Sequence, residues 1–310
     1  MDFLDKIDRQ KLQRITLVVI AALTLLATVL LVIIIIASVE GGTQPNDNSP
    51  NVENIDDIQF ESKTVSGSEL LKGSLVLANS NHTYTMPSDV NLVNIATYRS
   101  EHDTSIPYSV GDIYNFYLAS DAIEYAHNML IALKSDTGND SIMISSACGK
   151  NDASSDVHAG YTIALTVVGG VSPYLSDESN ADLANWLRDN AHKYGFVVRY
   201  PADKAESTGV SDYTYAFRFV GVAHAQYMKD NNLCLEEYIE YLKKETSYKD
   251  MLTVKASDGA SYAVYYTSVS GDSGEIKVPV QTPNPDGSTS FPYTISGTNE
   301  GGVIVTIKLN

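Results

Sequence analysis

Residues 15–39, "ITLVVIAALTLLATVLLVIIIIASV", run without a single charged side chain. As a helix rising about 1.5 Å per residue, the stretch would cover about 38 Å, more than the ~30 Å of hydrocarbon in a bilayer. It is too long for the apolar core of a signal peptide, and no small-residue cleavage site closes it. The pattern predicts a transmembrane helix in contact with the lipid bilayer. The next stretch, "EGGTQPNDNSPNVENIDDI" (40–58), is polar and rich in Gly, Pro and Asn, and cannot bury enough apolar surface to fold alone. It reads as a flexible stalk, with ordered structure expected from about "GSLVLANSNHTY" (73–84).

Further along, two periodicities alternate. Residues 110–134 place Ile123, Ala126, Met129, Leu130 and Leu133 at helical spacing, with Asp121 as a capping side chain. "SIMISSA" (141–147), "YTIALTVVGG" (161–170), "FVVRYP" (196–201) and "YAFRFVG" (215–221) read as strands. "ESNADLANWLRDNAHKYG" (178–195) is an amphipathic helix closed by Gly195. "GVAHAQYMKDNN" (221–232) and "CLEEYIEYLKKE" (234–245) read as two short helices. From about residue 254, β-branched runs separated by "PNPDGS" and "TNEGG" predict a β-rich appendage of three or so strands, with "SGDSGE" (270–275) as a hairpin turn. The expected organisation is a tail (1–14), the membrane span (15–39), the stalk (40–58), a folded domain (59–252) and the appendage (253–310).

Charge then orients the chain. Lys6, Arg9, Lys11 and Arg14 precede the span, and no basic residue follows it within the stalk. The positive-inside rule puts the N-terminus in the cytoplasm and the C-terminal domain outside the cell, on a single-pass membrane protein. A net charge of -17 repels polyanions and excludes a nucleic-acid partner. Two cysteines, Cys148 and Cys234, make no disulfide framework, which suits a bacterial envelope. There is no nucleophile elbow, phosphate loop or dinucleotide fingerprint.

Between residues 185 and 242 stand "NAHKYGFVVRYP", "TG", "FRFVGVAHA" and "LEEYIEYL", in that order. This succession resembles the VanY-type D-Ala-D-Ala carboxypeptidases, zinc peptidases that trim the terminal D-alanine from peptidoglycan stems. Weaker likeness extends it over about residues 70–245. The resemblance implies an α+β fold of the Hedgehog/DD-peptidase-like kind, a small antiparallel sheet packed by helices. It also implies a zinc site built on S-x-H-x-x-G-x-A-x-D and a later E-x-x-H. Three protein ligands would leave a fourth position for water, and the Glu would take that water's proton.

Laid on this chain through Gly160, the motif puts its serine on Ser155, its first zinc histidine on Val157 and its zinc aspartate on Ala164. Through "FRFVG", the Glu falls on Tyr213 and the last histidine on Ala216; the arginine that holds the substrate carboxylate falls on Gly149. Ligands, general base and clamp are all replaced, so no zinc or other cofactor and no catalytic residue is expected. His158 lies one residue from the ligand position, and in an extended chain neighbouring side chains point to opposite faces. It reads as a loop or surface residue. His192 and His224 read as surface or packing residues, and His82, His102 and His127 are too dispersed in sequence to suggest a metal cluster.

Ser155, His158, Tyr161, Tyr213, Tyr215 and Arg218 are left as the candidate groove, either a binding surface or a filled pocket. Three functions follow from the residues. One is a catalytically inactive relative that binds a peptidoglycan stem peptide or an envelope protein. Another is an active zinc carboxypeptidase with relocated ligands. The third is a structural or assembly component whose groove is filled.

Overall fold

The computed structural model describes residues 55–310, except 80, 104, 150–155, 212 and 285–288, and gives no side-chain placement for 56, 157, 158, 213 and 214. The tail, the apolar span 15–39 and stalk residues 40–54 lie outside the described residues. Among the described residues no helix is long and apolar enough to cross a membrane.

Order begins earlier than the composition suggests. Ile55–Asp57 forms a 3-10 turn, and Ile58 is buried with Val65 of β1 (Phe60–Ser66) against the C-terminal strands. Leu75–Ala78 is a buried loop segment. There follow β2 (Leu92–Asn94), α1 (Ile95–His102), β3 (Ser109–Val110), β4 (Tyr117–Ala119) and α2 (Ile123–Thr137). The predicted helix over 110–134 therefore occupies only its second half. Asp112 accepts from the main-chain N–H groups of Tyr114 and Asn115, which closes a turn before β4 pairs with β2. Asp121 does not cap α2: the cap position is Ala122, with no side-chain bond.

The central sheet is built from β5 (Ile142–Ser146), β6 (Thr162–Val167), β7 (Phe196–Tyr200) and β8 (Tyr213–Phe219) in the order β3-β5-β6-β8-β7. All its pairings are antiparallel except β3 with β5. One face, carrying Ile163, Leu165, Phe217 and Phe219, packs on α2 and on α3 (Ala181–Asn190) through Met129, Leu130, Leu183 and Leu187. After α3 a 3-10 turn, Ala191–Tyr194, ends at Gly195, which has φ 74°. A Cβ there would sit 2.7 Å from the Phe219 ring and 3.0 Å from the Gly221 main chain, so only glycine lets the helix turn back into β7.

After the short α4 (Ala205–Thr208), α5 (Val222–Asp230) and α6 (Leu235–Glu245) follow β8. On α6, Leu235, Tyr238, Ile239 and Leu242 repeat at i, i+3, i+4 and i+7 and are all buried. They meet Val264 and Ile304 of the C-terminal strands.

Among the described residues the C-terminal part holds five strands rather than three or so: β9 (Leu252–Lys255), β10 (Ser261–Ser268), β11 (Ser273–Pro279), β12 (Tyr293–Gly297) and β13 (Gly302–Lys308). Four form a sheet in the order β12-β13-β10-β9, while β11 pairs with β1 from the start of the domain. "SGDSGE" is therefore no hairpin turn; it carries the chain from one sheet to another. Residues Asn51–Asn310 make one compact unit.

Candidate functional site

Both motif halves land on the central sheet, on adjacent strands. Ala164 of β6 and Ala216 of β8 are cross-strand partners. These positions were reached separately, one through Gly160 and the other through "FRFVG". Ligands of one ion must converge, and directly opposed residues on antiparallel strands have Cβ atoms about 5 Å apart. What they present here are two methyl groups, 1% and 0% exposed.

Beside them lies a buried ionic cluster. Asp156 stands in a 3-10 turn, Asp156–Ala159, that leads into β6. Arg218 Nη1 donates to Asp156 Oδ1 at 2.9 Å, and Thr162, the cross-strand partner of Arg218, donates its hydroxyl to Oδ2 at 2.7 Å. The other donors of Arg218 are used on main-chain carbonyls: Nε and Nη2 on Ser74 at 3.1 and 3.0 Å, and Nη2 on Val76 at 2.9 Å. Arg199 of β7 forms a two-pronged pair with Glu236 of α6 at 2.9 and 2.6 Å. Its Nε lies 2.9 Å from Asp156 Oδ1, an ion pair by distance without hydrogen-bond alignment.

Two guanidinium and two carboxylate groups thus neutralise one another out of water, the condition under which buried charge is tolerable. Burial alone would push the Asp156 carboxyl up, but Arg199 and Arg218 outweigh it and hold it below the usual range. The cluster continues outward: Asn79 donates to Glu236 at 2.9 Å, His82 Nδ1 lies 2.8 Å from Asn79 Oδ1, and His82 Nε2 lies 2.6 Å from Glu300 on the β12–β13 turn. One polar chain therefore ties the C-terminal sheet to the strands of the candidate site.

The predicted groove residues separate. Arg218 is fully buried with its donors used. Tyr161 is buried, its hydroxyl 3.3 Å from Asp121 and its ring 5.6 Å from the Arg218 guanidinium. Tyr215 is half-buried against the helix-side core. Tyr213 lies opposite Tyr200 in the register of β7 and β8. Ser155 and the side chains of Val157, His158 and Tyr213 lie outside the described residues. The backbone at His158 is a 3-10 turn and not an extended strand, so alternation of faces does not apply there.

Of the remaining histidines, His224 is buried between the Tyr238 hydroxyl and Thr306 Oγ1, each at 2.8 Å. The rings of His102 and His127 have their centroids 6.3 Å apart, and both rings lie against Tyr98. Sequence reasoning also missed Asp156, Arg199 and Glu236 as a unit. Of the three, only Arg199 carried a local signal, as a charged residue inside the otherwise apolar run "FVVRYP". Both cysteines are buried, and they are not joined in a disulfide.

The profile of the VanY D-alanyl-D-alanine carboxypeptidases matches residues 85–222. A D-alanyl-D-alanine carboxypeptidase of Enterococcus faecium is 30% identical over 262 residues, 80% of this chain and 79% of that protein. This chain belongs to the VanY family of D-alanyl-D-alanine carboxypeptidases. The vancomycin-resistance D,D-dipeptidase VanXYg, solved with a D-Ala-D-Ala phosphinate analog, shares the fold at a TM-score of 0.59. It is 22% identical and covers 81% of this chain and 99% of its own. A VanY D,D-pentapeptidase solved with Zn(II) superposes at a TM-score of 0.37, with 20% identity over 54% of this chain and 98% of its own.

The donor set of this chain does not fit the zinc that the family motif implies. Two of the three ligand positions of the VanY motif, Ala164 and Ala216, carry no lone pair, and the third is Val157. Among the described residues no three His, Cys, Asp or Glu side chains are grouped to hold a metal ion.

Proposed function

We propose that this chain is a membrane-anchored, extracellular member of the VanY family that does not hydrolyse D-Ala-D-Ala and serves as a binding protein of the bacterial envelope. Residues 15–39 anchor it, and the domain outside engages a peptidoglycan stem peptide or an envelope protein. The observation that carries this reading is the apposition of Ala164 and Ala216: two ligand positions meet and offer only methyl groups. The buried Asp156–Arg199–Arg218–Glu236 cluster supports it, because compensated charge holds the scaffold around those positions together.

The test is metal analysis of the purified chain together with release of D-alanine from a pentapeptide ending in D-Ala-D-Ala. The reading expects neither stoichiometric zinc nor turnover; both together would establish an active enzyme with relocated ligands. A structural or assembly role is favoured by the burial of Tyr161 and Arg218, which take no part in an open groove. Muropeptide binding that disappears in Tyr215→Ala supports the binding protein. Absence of any muropeptide binding by the native chain supports the structural role.

A further inference from the structure

The small sheet of β1 and β11 has two outer edges, and they differ. Gly67 N donates to Asp272 O at 2.7 Å, and Val280 N donates to Gln59 O at 2.8 Å. Both bonds keep the β1–β11 register, so the odd-numbered residues of β1 turn their main-chain groups toward β11. Phe60, Ser62 and Thr64 therefore turn theirs outward, where they meet no hydrogen-bond partner among the described residues. Glu61, Ser62, Lys63 and Thr64 are exposed in succession, on both faces of the strand. The outer edge of β1 is open.

The outer edge of β11 is blunted. By the same alternation Lys277 and Pro279 point away from β1. The Tyr265 hydroxyl donates to the Lys277 carbonyl, and Pro279 has no N–H to offer. The free edge of β1 also has definite ends. Ser66 N is already used on Glu69 Oε2 at 2.7 Å, and Ile58 is buried. Pairing on this edge is thus confined to about residues 60–64.

Within that stretch β1 carries its own complement. Glu61 and Lys63 stand two apart and so share one face, with Lys63 Nζ 5.6 Å above the Tyr293 ring. Neither forms an ion pair among the described residues. Two copies of β1 pairing antiparallel must set outward residues opposite outward residues. For any pairing of more than one residue within 60–64, the two-fold axis then falls at Glu61, Ser62 or Lys63. An axis at Glu61 sets glutamate against glutamate, and one at Lys63 sets lysine against lysine. An axis at Ser62 sets Glu61 of each copy against Lys63 of the other. Those are non-hydrogen-bonded pairs, with Cα atoms about 4.5 Å apart and side chains at their closest.

We propose that β1 is a self-association edge, on which two copies of this chain pair antiparallel about a two-fold axis at Ser62. Main-chain bonds join Phe60 to Thr64 and Ser62 to Ser62, and reciprocal Glu61–Lys63 pairs fix the register. The strands then run β11-β1-β1-β11 as one sheet through both copies. So short a contact makes the association weak and concentration-dependent. It stands on β1 alone and is independent of whether the chain hydrolyses or binds a stem peptide.

The test uses the full chain purified in detergent. Copies carrying Glu61→Cys and Lys63→Cys, differently tagged, are mixed and oxidised. Across the proposed register these two positions are close enough for a disulfide. Two Glu61→Cys copies would stand about 8 Å apart, beyond the ~7 Å a bridge can span. Mixed disulfides should therefore form well ahead of Glu61→Cys homodisulfides. In sedimentation across a range of concentrations, Glu61→Lys should weaken dimerisation by roughly tenfold, because both ion pairs become repulsive. Glu61→Lys with Lys63→Glu should restore it. Both side chains are exposed, so these exchanges leave the fold intact. A chain that stays monomeric and forms no mixed disulfide overturns the proposal. So do homodisulfides formed as readily as mixed ones, or dimerisation indifferent to the charge reversal, which would place self-association elsewhere in the chain.

Discussion

Ala164 and Ala216 face each other across β6 and β8 with their methyl groups sealed from solvent. An ion needs two electron-pair donors at just such a spacing, and replacing either donor alone would leave the other as a buried, unpaired polar group. Joint replacement by alanine removes that penalty, since apolar side chains of small volume need no partner.

Restoration of the donors is therefore expected to restore the metal. A variant carrying Val157→His, Ala164→Asp and Ala216→His should take up about one zinc per chain, as a three-ligand site requires. Without metal it should melt below the native protein, because an aspartate is then buried without a counter-charge. Adding zinc should raise the melting temperature by mass action. Thermal melts with and without zinc, alongside metal analysis, check this; a variant that stays metal-free shows that the sheet no longer holds the ligand geometry.

Asp156 links both buried guanidinium groups, so its loss leaves two cations facing each other. Asp156→Ala should destabilise by about 3–5 kcal/mol, the range for breaking a buried pair by removing one partner. Its carboxyl is held below the usual range in the folded protein. Its contribution is therefore present above the unfolded pKa, near 4, and is lost as pH falls through the lower folded value. Urea titrations near neutrality and below pH 4 should show the native and Asp156→Ala curves converging in acid.

His224 governs a higher pH window. Burial between Tyr238 and Thr306 pushes its pKa down to about 3. The unfolded chain binds this proton from about pH 6.5 downward and the folded chain does not. Stability should thus fall as pH drops from 6.5, by up to roughly 1.4 kcal/mol per unit from this residue. Burial likewise lowers His127 and His192, so part of the slope remains without His224. In His224→Gln, unfolding free energies between pH 6.5 and 4.5 should depend less steeply on pH; an unchanged slope would assign the dependence elsewhere.

Local pattern made much of this fold legible. The four apolar runs of the central sheet and the i, i+3, i+4 repeat of α6 declare themselves because burial of one face imposes a period on the sequence. Less legible were features decided by distant partners. Val65 and β1 are ordered because β11, some two hundred residues later, pairs with them, and no local signal encodes that. The half of 110–134 that is not helical is held by Asp112 and by pairing with β2. At the candidate site, the alignment located Ala164 and Ala216, yet nothing local says that Arg199, Arg218, Asp156 and Glu236 meet. Charged residues in apolar strands signal only that some partner exists.

Two glycines with nearly the same backbone separate strain from contact. Gly138 and Gly195 both end helical turns in the left-handed region, at φ 69° and 74°. A Cβ on Gly138 would meet nothing within 4 Å, whereas on Gly195 it would press on the Phe219 ring and on the main chain of Gly221. Gly138→Ala should therefore lose only the left-handed penalty, about 1–2 kcal/mol. Gly195→Ala adds displacement of Gly221, whose N–H bonds to Gly195 O at 3.2 Å, and of the start of α5. It should be the more destabilising by at least about 1 kcal/mol, in line with overpacking of a rigid core. Paired urea denaturation of the two variants measures the difference, and equal losses would mean that the β7–α5 junction yields freely.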